Sequence, residues 1–446
     1  MKFSNFLTAF LGIALVSPSF AQVKENVDSQ IIRKTKTENK VKKGLLAGPM
    51  VSYIDNYSSR MWLLVPKGTE EIRLHLEDFN EEKSFDINYL VGAFDEFKDN
   101  KWYKAIHNVH FGDEIPVVID LQNLSKDSEY NIEVYLDGDL VFEEFTLYTS
   151  RSHNDDIYFL FGSSLNIDLM DSHSEDILKK MTKTSNDFMI WGGDNVFIKG
   201  GEYESFASVC NSYKEVRKRE TVNEFMQSTP HIAIWDKNDY GLHNSNSSMA
   251  LKDSALMAFN LFWPNTPKKV YNYTFTDYGV YKKYDYEDID IFMLDDRMFR
   301  VEEGADKALY GNKQLDKFFL DMWGSSATFK FIVSSVPFMD ENATDAMVHY
   351  NDEYKNFLHR LDDGHFEGVV FISANEKKNE VIKKERTDAY PIYELTTAPL
   401  IDGDNGNYSR IKVDGAKGSR IVTFEIYNKN GELIKTQKIH ESELKF

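Results

Sequence analysis

The chain of 446 residues carries one cysteine, Cys210, so no internal disulfide framework holds it together. Cys210 falls in an expected helix, where it reads as a small core residue rather than a nucleophile. Positive charge is in deficit: 52 Lys and Arg face 72 Asp and Glu, a formal net charge of −20, which argues against nucleic acid or an anionic membrane as partner. Beyond the N-terminus no apolar run is long enough to span a bilayer. There is no GxSxG, HExxH, P-loop or dinucleotide fingerprint, which leaves those four chemistries without their usual carriers. Internal repeats and low-complexity blocks are also missing. What remains is a globular composition, 42% hydrophobic and 14% aromatic, in a chain long enough for two or three domains.

The N-terminus has the form of a processing signal. Lys2 precedes the apolar run Phe6 to Val16, and Pro18-Ser19-Phe20-Ala21 supplies a cleavage site after Ala21. No cysteine near the cut suggests a lipid anchor, so the expected mature protein is soluble in the periplasm or outside the cell. Residues 22–45 are polar and read as a flexible lead-in. Over residues 46–150, short alternating segments such as Arg60–Val65, Glu71–Leu76, Pro116–Leu121 and Tyr130–Leu136 predict a small β-sandwich, with Asp137-Gly138-Asp139 as a hairpin turn. From Asp156 strands alternate with helices, the latter expected at Asp171–Thr184, over 201–227 and at Asp352–Leu361. The charged stretch Glu376–Glu385 reads as a solvated helix face. Residues 401–446 return to β pattern, with Asn428-Lys429-Asn430-Gly431 as a turn, and are expected to pack on the core.

The chain is organised around one stretch. Ile232-Ala233-Ile234 reads as a buried strand, and Trp235-Asp236-Lys237-Asn238-Asp239-Tyr240-Gly241 follows at its C-terminal end, where α/β proteins place their chemistry. Other strand ends carry Phe161-Gly162-Ser163-Ser164, Gly193-Asp194-Asn195-Val196-Phe197, Asp295-Asp296-Arg297 and Ser373-Ala374-Asn375-Glu376-Lys377. Together with Gly48-Pro49-Met50-Val51 and the segment Ser325–Pro337, these resemble the ordered motifs of the PhoD-like alkaline phosphatases, exported members of the calcineurin-like metallophosphoesterases. The resemblance implies an α/β fold: a metallophosphoesterase-type sandwich of two β-sheets flanked by helices over residues 155–400, preceded by the small N-terminal β-sandwich.

Such enzymes hold two metals about 3.5–4 Å apart, clamping the attacking and leaving oxygens. The motifs as they stand here depart from that need at four strand ends. The family's FGSC has Ser164 in place of a ligating cysteine, and a hydroxyl is a poor substitute for a thiolate. GDxxY keeps the bridging carboxylate as Asp194, followed by Asn195, with Phe197 for tyrosine. WDDHDYG keeps Asp236 and Asp239 but has Lys237 for a metal-binding aspartate and Asn238 for the catalytic histidine. SGDxHxxE has Ala374, Asn375 and Lys377 for glycine, aspartate and histidine. Asp194 and Asp236 are the residual metal candidates; Lys237, Lys377 and Arg297 are candidates for holding an anion, and Arg297 is also a candidate partner of Asp295 or Asp236.

These residues lead to the expectation of an exported PhoD-like homologue without two-metal catalysis, needing no cofactor and serving as a binding or assembly protein whose partner is a protein or an anionic ligand. Lys237, Lys377 or both are expected to reach into the cleft and neutralise Asp194 and Asp236. The alternative is an active phosphomono- or diesterase with a rearranged site, holding Fe, Ca or Zn through residues such as Glu376, Glu380, His231 or His243.

Overall fold

The computed structural model describes residues 44–91, 111–149, 156–242, 245–265, 278–304, 307–374, 378–401 and 406–446. The expected signal peptide, the lead-in up to residue 43, and His243, Asn375, Glu376 and Lys377 lie outside them.

Seven strands form the N-terminal part: β1 (Ala47–Ile54), β2 (Ser58–Pro66), β3 (Glu71–Asp78), β4 (Lys83–Leu90), β5 (Glu114–Gln122), β6 (Glu129–Leu136) and β7 (Asp139–Tyr148). They make two antiparallel sheets, ordered β1-β2-β5 and β4-β3-β6-β7. Strand chemistry follows which faces are covered. β6 alternates buried Tyr130, Ile132, Val134 and Leu136 with partly exposed Asn131, Glu133 and Tyr135, because only one of its faces meets the other sheet. β2 is buried on both faces: Met61, Leu63 and Val65 enter the sandwich core, whereas Trp62 and Leu64 enter the core of the rest of the chain. Its unbroken apolar run is the consequence. The Asp137-Gly138 turn has φ of 48° and 91°, the paired positive values of a two-residue hairpin.

The remainder contains β8 (Ile157–Gly162), α1 (Ser172–Thr182), β9 (Phe188–Gly192), α2 (Phe206–Arg217), α3 (Glu220–Met226), β10 (His231–Ile234), α4 (Lys237–Tyr240), α5 (Lys252–Phe262), β11 (Lys282–Tyr286), β12 (Ile289–Met293) and α6 (Gly311–Trp323). Then come β13 (Phe329–Ser334), α7 (Asn351–Asp363), β14 (Val369–Ala374), β15 (Glu380–Arg386), β16 (Ala389–Thr397), β17 (Asn407–Asp414), β18 (Ile421–Asn428) and β19 (Leu433–His440). Two six-stranded sheets result, ordered β10-β9-β8-β17-β18-β19 and β11-β12-β13-β14-β16-β15. Aromatic rings join them: Phe159 of β8 meets Phe331 of β13 edge-on at 5.3 Å, and Phe188 of β9 meets Tyr284 of β11 at 5.6 Å. A buried ion pair, Arg420 with Asp288, adds a polar tie between the C-terminal part and the turn before β12. Residues 401–446 contribute β17 to β19 to the first sheet itself, with β17 antiparallel to β8.

Two local expectations are corrected. The helix expected over 201–227 is a 3-10 turn at Gly200–Glu204 followed by α2 and α3; Ser205 stops the first element by capping α2, its hydroxyl accepting from the Ser208 amide. Within the charged stretch Glu376–Glu385, the described residues from Glu380 form an edge strand, β15, paired antiparallel with β16. Charges suit an exposed sheet edge as well as a helix face, and only the partner strand distinguishes them.

Candidate functional site

In the first sheet β10, β9 and β8 are parallel; in the second, β12, β13, β14 and β16 are. The carboxyl ends of both parallel sets meet at one edge, the place where open α/β sheets bind ligands. Gly193 marks the contact. It sits at φ 101°, and a Cβ there would lie 2.8 Å from Asp236 Cβ and 2.9 Å from Ser335 Cβ. Only glycine lets the end of β9 pass between a residue after β10 and one after β13. Asp194 follows at φ 54° and Ser164, after β8, at φ 62°, both in the left-handed region that costs a non-glycine residue strain. The Ser164 amide donates to Gly193 O at 3.0 Å, so these turns brace each other.

The WDKNDYG stretch is built into this edge residue by residue. Trp235 Nε1 donates to Asp295 Oδ1 at 2.8 Å, and Asp295 also accepts from the amides of Val280, Arg297 and Met298. Asp239, buried, accepts from the amides of Asp236 at 3.0 Å and Val196 at 3.1 Å. Tyr240 packs edge-on against Trp235, with ring centroids 4.9 Å apart. Asn195 Nδ2 donates to Ile234 O at 2.7 Å. The motif thus fixes three strand ends whether or not chemistry occurs there.

The two residual carboxylates have organic partners. Asn238 donates to both oxygens of Asp194, its main-chain N–H to Oδ1 at 2.9 Å and its Nδ2 to Oδ2 at 2.8 Å. Burial and the nearby Asp236 charge push Asp194 up to about 7, opposed by these two bonds and by the charge of Lys237. Asp236 is held by Arg297, whose Nε donates to Oδ1 at 2.9 Å with Nη2 on the same oxygen. The Arg297 guanidinium also lies 3.7 Å from Asp296 and 3.3 Å from Asp345. Burial works against its charge, but the three carboxylates hold it above its ordinary value. Asp296, buried and hydrogen-bonded by Ser335 Oγ, is pushed up to about 8 by burial, Arg297 notwithstanding. A cleft of about 290 Å³ opens beside these groups; Asp236, Lys237, Arg297, Ser335, Ala374 and Lys378 are among its walls.

The structure therefore brings Ser164, Asp194, Asn195, Asp236, Lys237, Asn238 and Arg297 to one edge, and Ala374 carries β14 to the same cleft. Asn375 and Lys377 lie outside the described residues. The cation in contact with Asp236 includes Arg297, 61 positions on, whereas Lys237 acts on Asp194 through its field. His231 is no ligand for this cleft: it is fully buried in β10, its Nδ1 accepting from Trp191 Nε1 at 3.1 Å and its Nε2 facing Phe225 O at 3.2 Å. Glu380 pairs with Lys378 at 2.6 Å. Sequence reasoning missed Asp345 and Arg300. Nothing in the pattern of the irregular segment after β13 marks Asp345, and nothing in the turn after β12 marks Arg300 as its partner.

The described donors do not suit a metal pair. A divalent cation would have to displace Asn238 from Asp194, share Asp236 with a guanidinium, and accept a hydroxyl from Ser164 and an ammonium at Lys237. Among the described residues no group of three or more His, Cys, Asp and Glu side chains is arranged to hold a metal ion.

Against known proteins, the sequence profile of the PhoD-like phosphatases matches residues 174–437, more than half of the chain. The chain belongs to the PhoD-like phosphatase family. Among solved structures it is similar to that of PhoD, with a TM-score of 0.67 at 11% identity, covering 92% of this chain and 95% of that one. It is also similar to the purple acid phosphatase PPD1 from yellow lupin (Lupinus luteus) seeds, with a TM-score of 0.59 at 10% identity, covering 88% and 74%. At such identities the likeness concerns the fold, and it establishes the metallophosphoesterase-type architecture expected from the motifs. No curated protein matches the chain.

Proposed function

We propose that this PhoD-like chain is an exported protein that has given up two-metal phosphate-ester hydrolysis and uses the inherited cleft for binding or assembly, its partner being a protein or an anionic ligand. The observation that carries this reading is Asn238. It stands where the family has its catalytic histidine, and it donates to both oxygens of the carboxylate that would bridge the metals. Ser164 and Lys237, at two further ligand positions, support it. Removal of a general acid alone lowers turnover about 10²–10⁴-fold, before loss of the metals is counted.

The test is elemental analysis of purified protein together with hydrolysis of a generic phosphate ester, with Asp194→Asn alongside. Substoichiometric metal and turnover no greater than that of Asp194→Asn are expected. Stoichiometric metal with hydrolysis that Asp194→Asn abolishes would refute the reading and establish an active esterase. Export is tested by the N-terminus of the mature protein, expected to begin at Gln22.

A further inference from the structure

One carboxylate of the site occupies a position unlike the others. Asp345 is gripped by two arginines. Arg300 holds it in a fork, Nη1 to Oδ2 at 2.6 Å and Nη2 to Oδ1 at 2.9 Å, and Arg297 Nη2 approaches Oδ2 at 3.3 Å. The arginine side chains are fixed parts of the core, 7% and 2% exposed, whereas the Asp345 side chain is 24% exposed. Asp345 ends an irregular segment, Asp340–Asp345, that supplies five residues of the cleft wall and whose Glu341, Asn342 and Thr344 are exposed. The segment is pinned at its other end by Lys378, 3.1 Å from Asp340.

A planar fork of guanidinium donors is the geometry with which proteins hold two oxygens of a phosphate, sulfate or carboxylate. Here it is filled by a side chain from a surface loop. The charges around it favour exchange. Arg297, Arg300 and Lys237 face Asp345, the last through its field, while Asp236 stays on Arg297 and Glu302 on Arg300. Asp236, Asp296 and Asp345 lie on Arg297, and Asp345 and Glu302 on Arg300, so Asp345 is the carboxylate that both arginines share, and its withdrawal frees donors of both at the cleft.

We propose that Arg297 and Arg300 form a binding fork for a tetrahedral oxyanion, phosphate or sulfate, free or at the end of a larger ligand, and that Asp345 is its resident competitor, leaving with the Asp340–Asp345 segment as the ligand enters from the cleft. This deepens the binding reading above and rests on it. It requires no metal, because the cations are the chain's own.

The experiment is calorimetric titration of the full mature chain with inorganic phosphate, in chelator. Asp345→Asn keeps the side-chain shape and removes the competing charge; it is expected to bind phosphate at least tenfold more tightly than the native chain. Arg300→Lys added to it keeps the charge, loses the fork, and is expected to cancel the gain. A parallel titration with phenyl phosphate separates the sources: tighter binding than phosphate assigns an esterified ligand reaching the Val336, Pro337 and Ala343 wall, and equal binding assigns the free anion. Asp345→Asn that binds no better than the native chain, or binding that appears only with added divalent metal, overturns the proposal. Should Asp345→Asn fail to fold, thermal stabilisation by phosphate is compared for the native chain and Arg300→Lys, and equal stabilisation overturns it. Metal-dependent turnover of phenyl phosphate would overturn the pseudoenzyme reading instead, a result separate from the titration in chelator.

Discussion

Replacing Arg297 by methionine tests whether the site holds together without a metal. The Arg297 side chain is 2% exposed, and its guanidinium contacts Asp236, with Asp296 and Asp345 close by. At the 2.9 Å separation of Nε and Asp236 Oδ1, the gross attraction is roughly 6 kcal/mol at an effective dielectric of about 20. Desolvation of both groups cancels much of that in the intact pair, but the variant does not recover it. Methionine leaves Asp236 partly buried beside Asp194, with no counter-charge in contact from position 297. Breaking a buried pair in this way costs about 3–5 kcal/mol. The assay is denaturant unfolding of native and Arg297→Met protein, each with and without chelator. Arg297→Met should lose about 3–5 kcal/mol, adding Asp236→Asn should restore about 1.5–3 kcal/mol by removing the orphaned charge, and chelator should change neither protein. A loss below about 1 kcal/mol, or a chelator effect on the native chain, would refute the account of a self-balanced site.

Three further outcomes are expected. His231 is held neutral, since the Trp191 indole can only donate and so makes Nδ1 an acceptor; burial depresses its pKa to about 3, from the usual 6.5. Its stabilisation is complete above pH 6.5 and is lost as pH falls toward 3, at up to about 1.4 kcal/mol per pH unit. Asp194, Asp296 and Glu394 have raised values and act in the opposite direction, their contribution present at low pH and lost as pH rises through about 7 to 8, so the His231 term is read from the difference between native and His231→Gln unfolding at pH 5 and pH 7. Gly193→Ala should cost about 2–4 kcal/mol by combining a strained φ with a Cβ closer than 3.0 Å to two side chains, visible as a lowered unfolding midpoint. Arg420→Met should cost about 3–5 kcal/mol by stranding Asp288 between the sheets, and Asp288→Asn in the same chain should recover part of it; additive losses would show that the pair does not couple.

The sequence by itself determined what depends on short-range pattern. Alternating segments located β3 and β6, short apolar runs located β2 and β5, Asp137-Gly138 located a hairpin, and Ile232-Ala233-Ile234 located the strand that delivers Trp235 and Asp236 to the site. The ordered motifs pointed to the family and the fold, because backbone geometry at a strand-end turn, as at Gly193, demands particular residues whatever the chemistry. The same motifs, set beside those of the family they resemble, gave the expectation that ligand types are missing at four strand ends.

What only the tertiary structure decided is which groups balance the remaining charge. Asp236 and Arg297 lie 61 positions apart and meet because β10 and β12 end at the same edge of two different sheets. Asp345 reaches Arg297 and Arg300 from a segment with no periodicity to predict its path. His231, a metal-ligand candidate only under the alternative of a rearranged site, is a core residue, since the carbonyl of Phe225 and the indole of Trp191 close on both its nitrogens. Edge strand β15 was indistinguishable from a helix face until β16 paired with it. In each case the deciding interaction is between residues far apart in the chain, where electrostatics and hydrogen bonding depend on distance in space, which local sequence pattern does not encode.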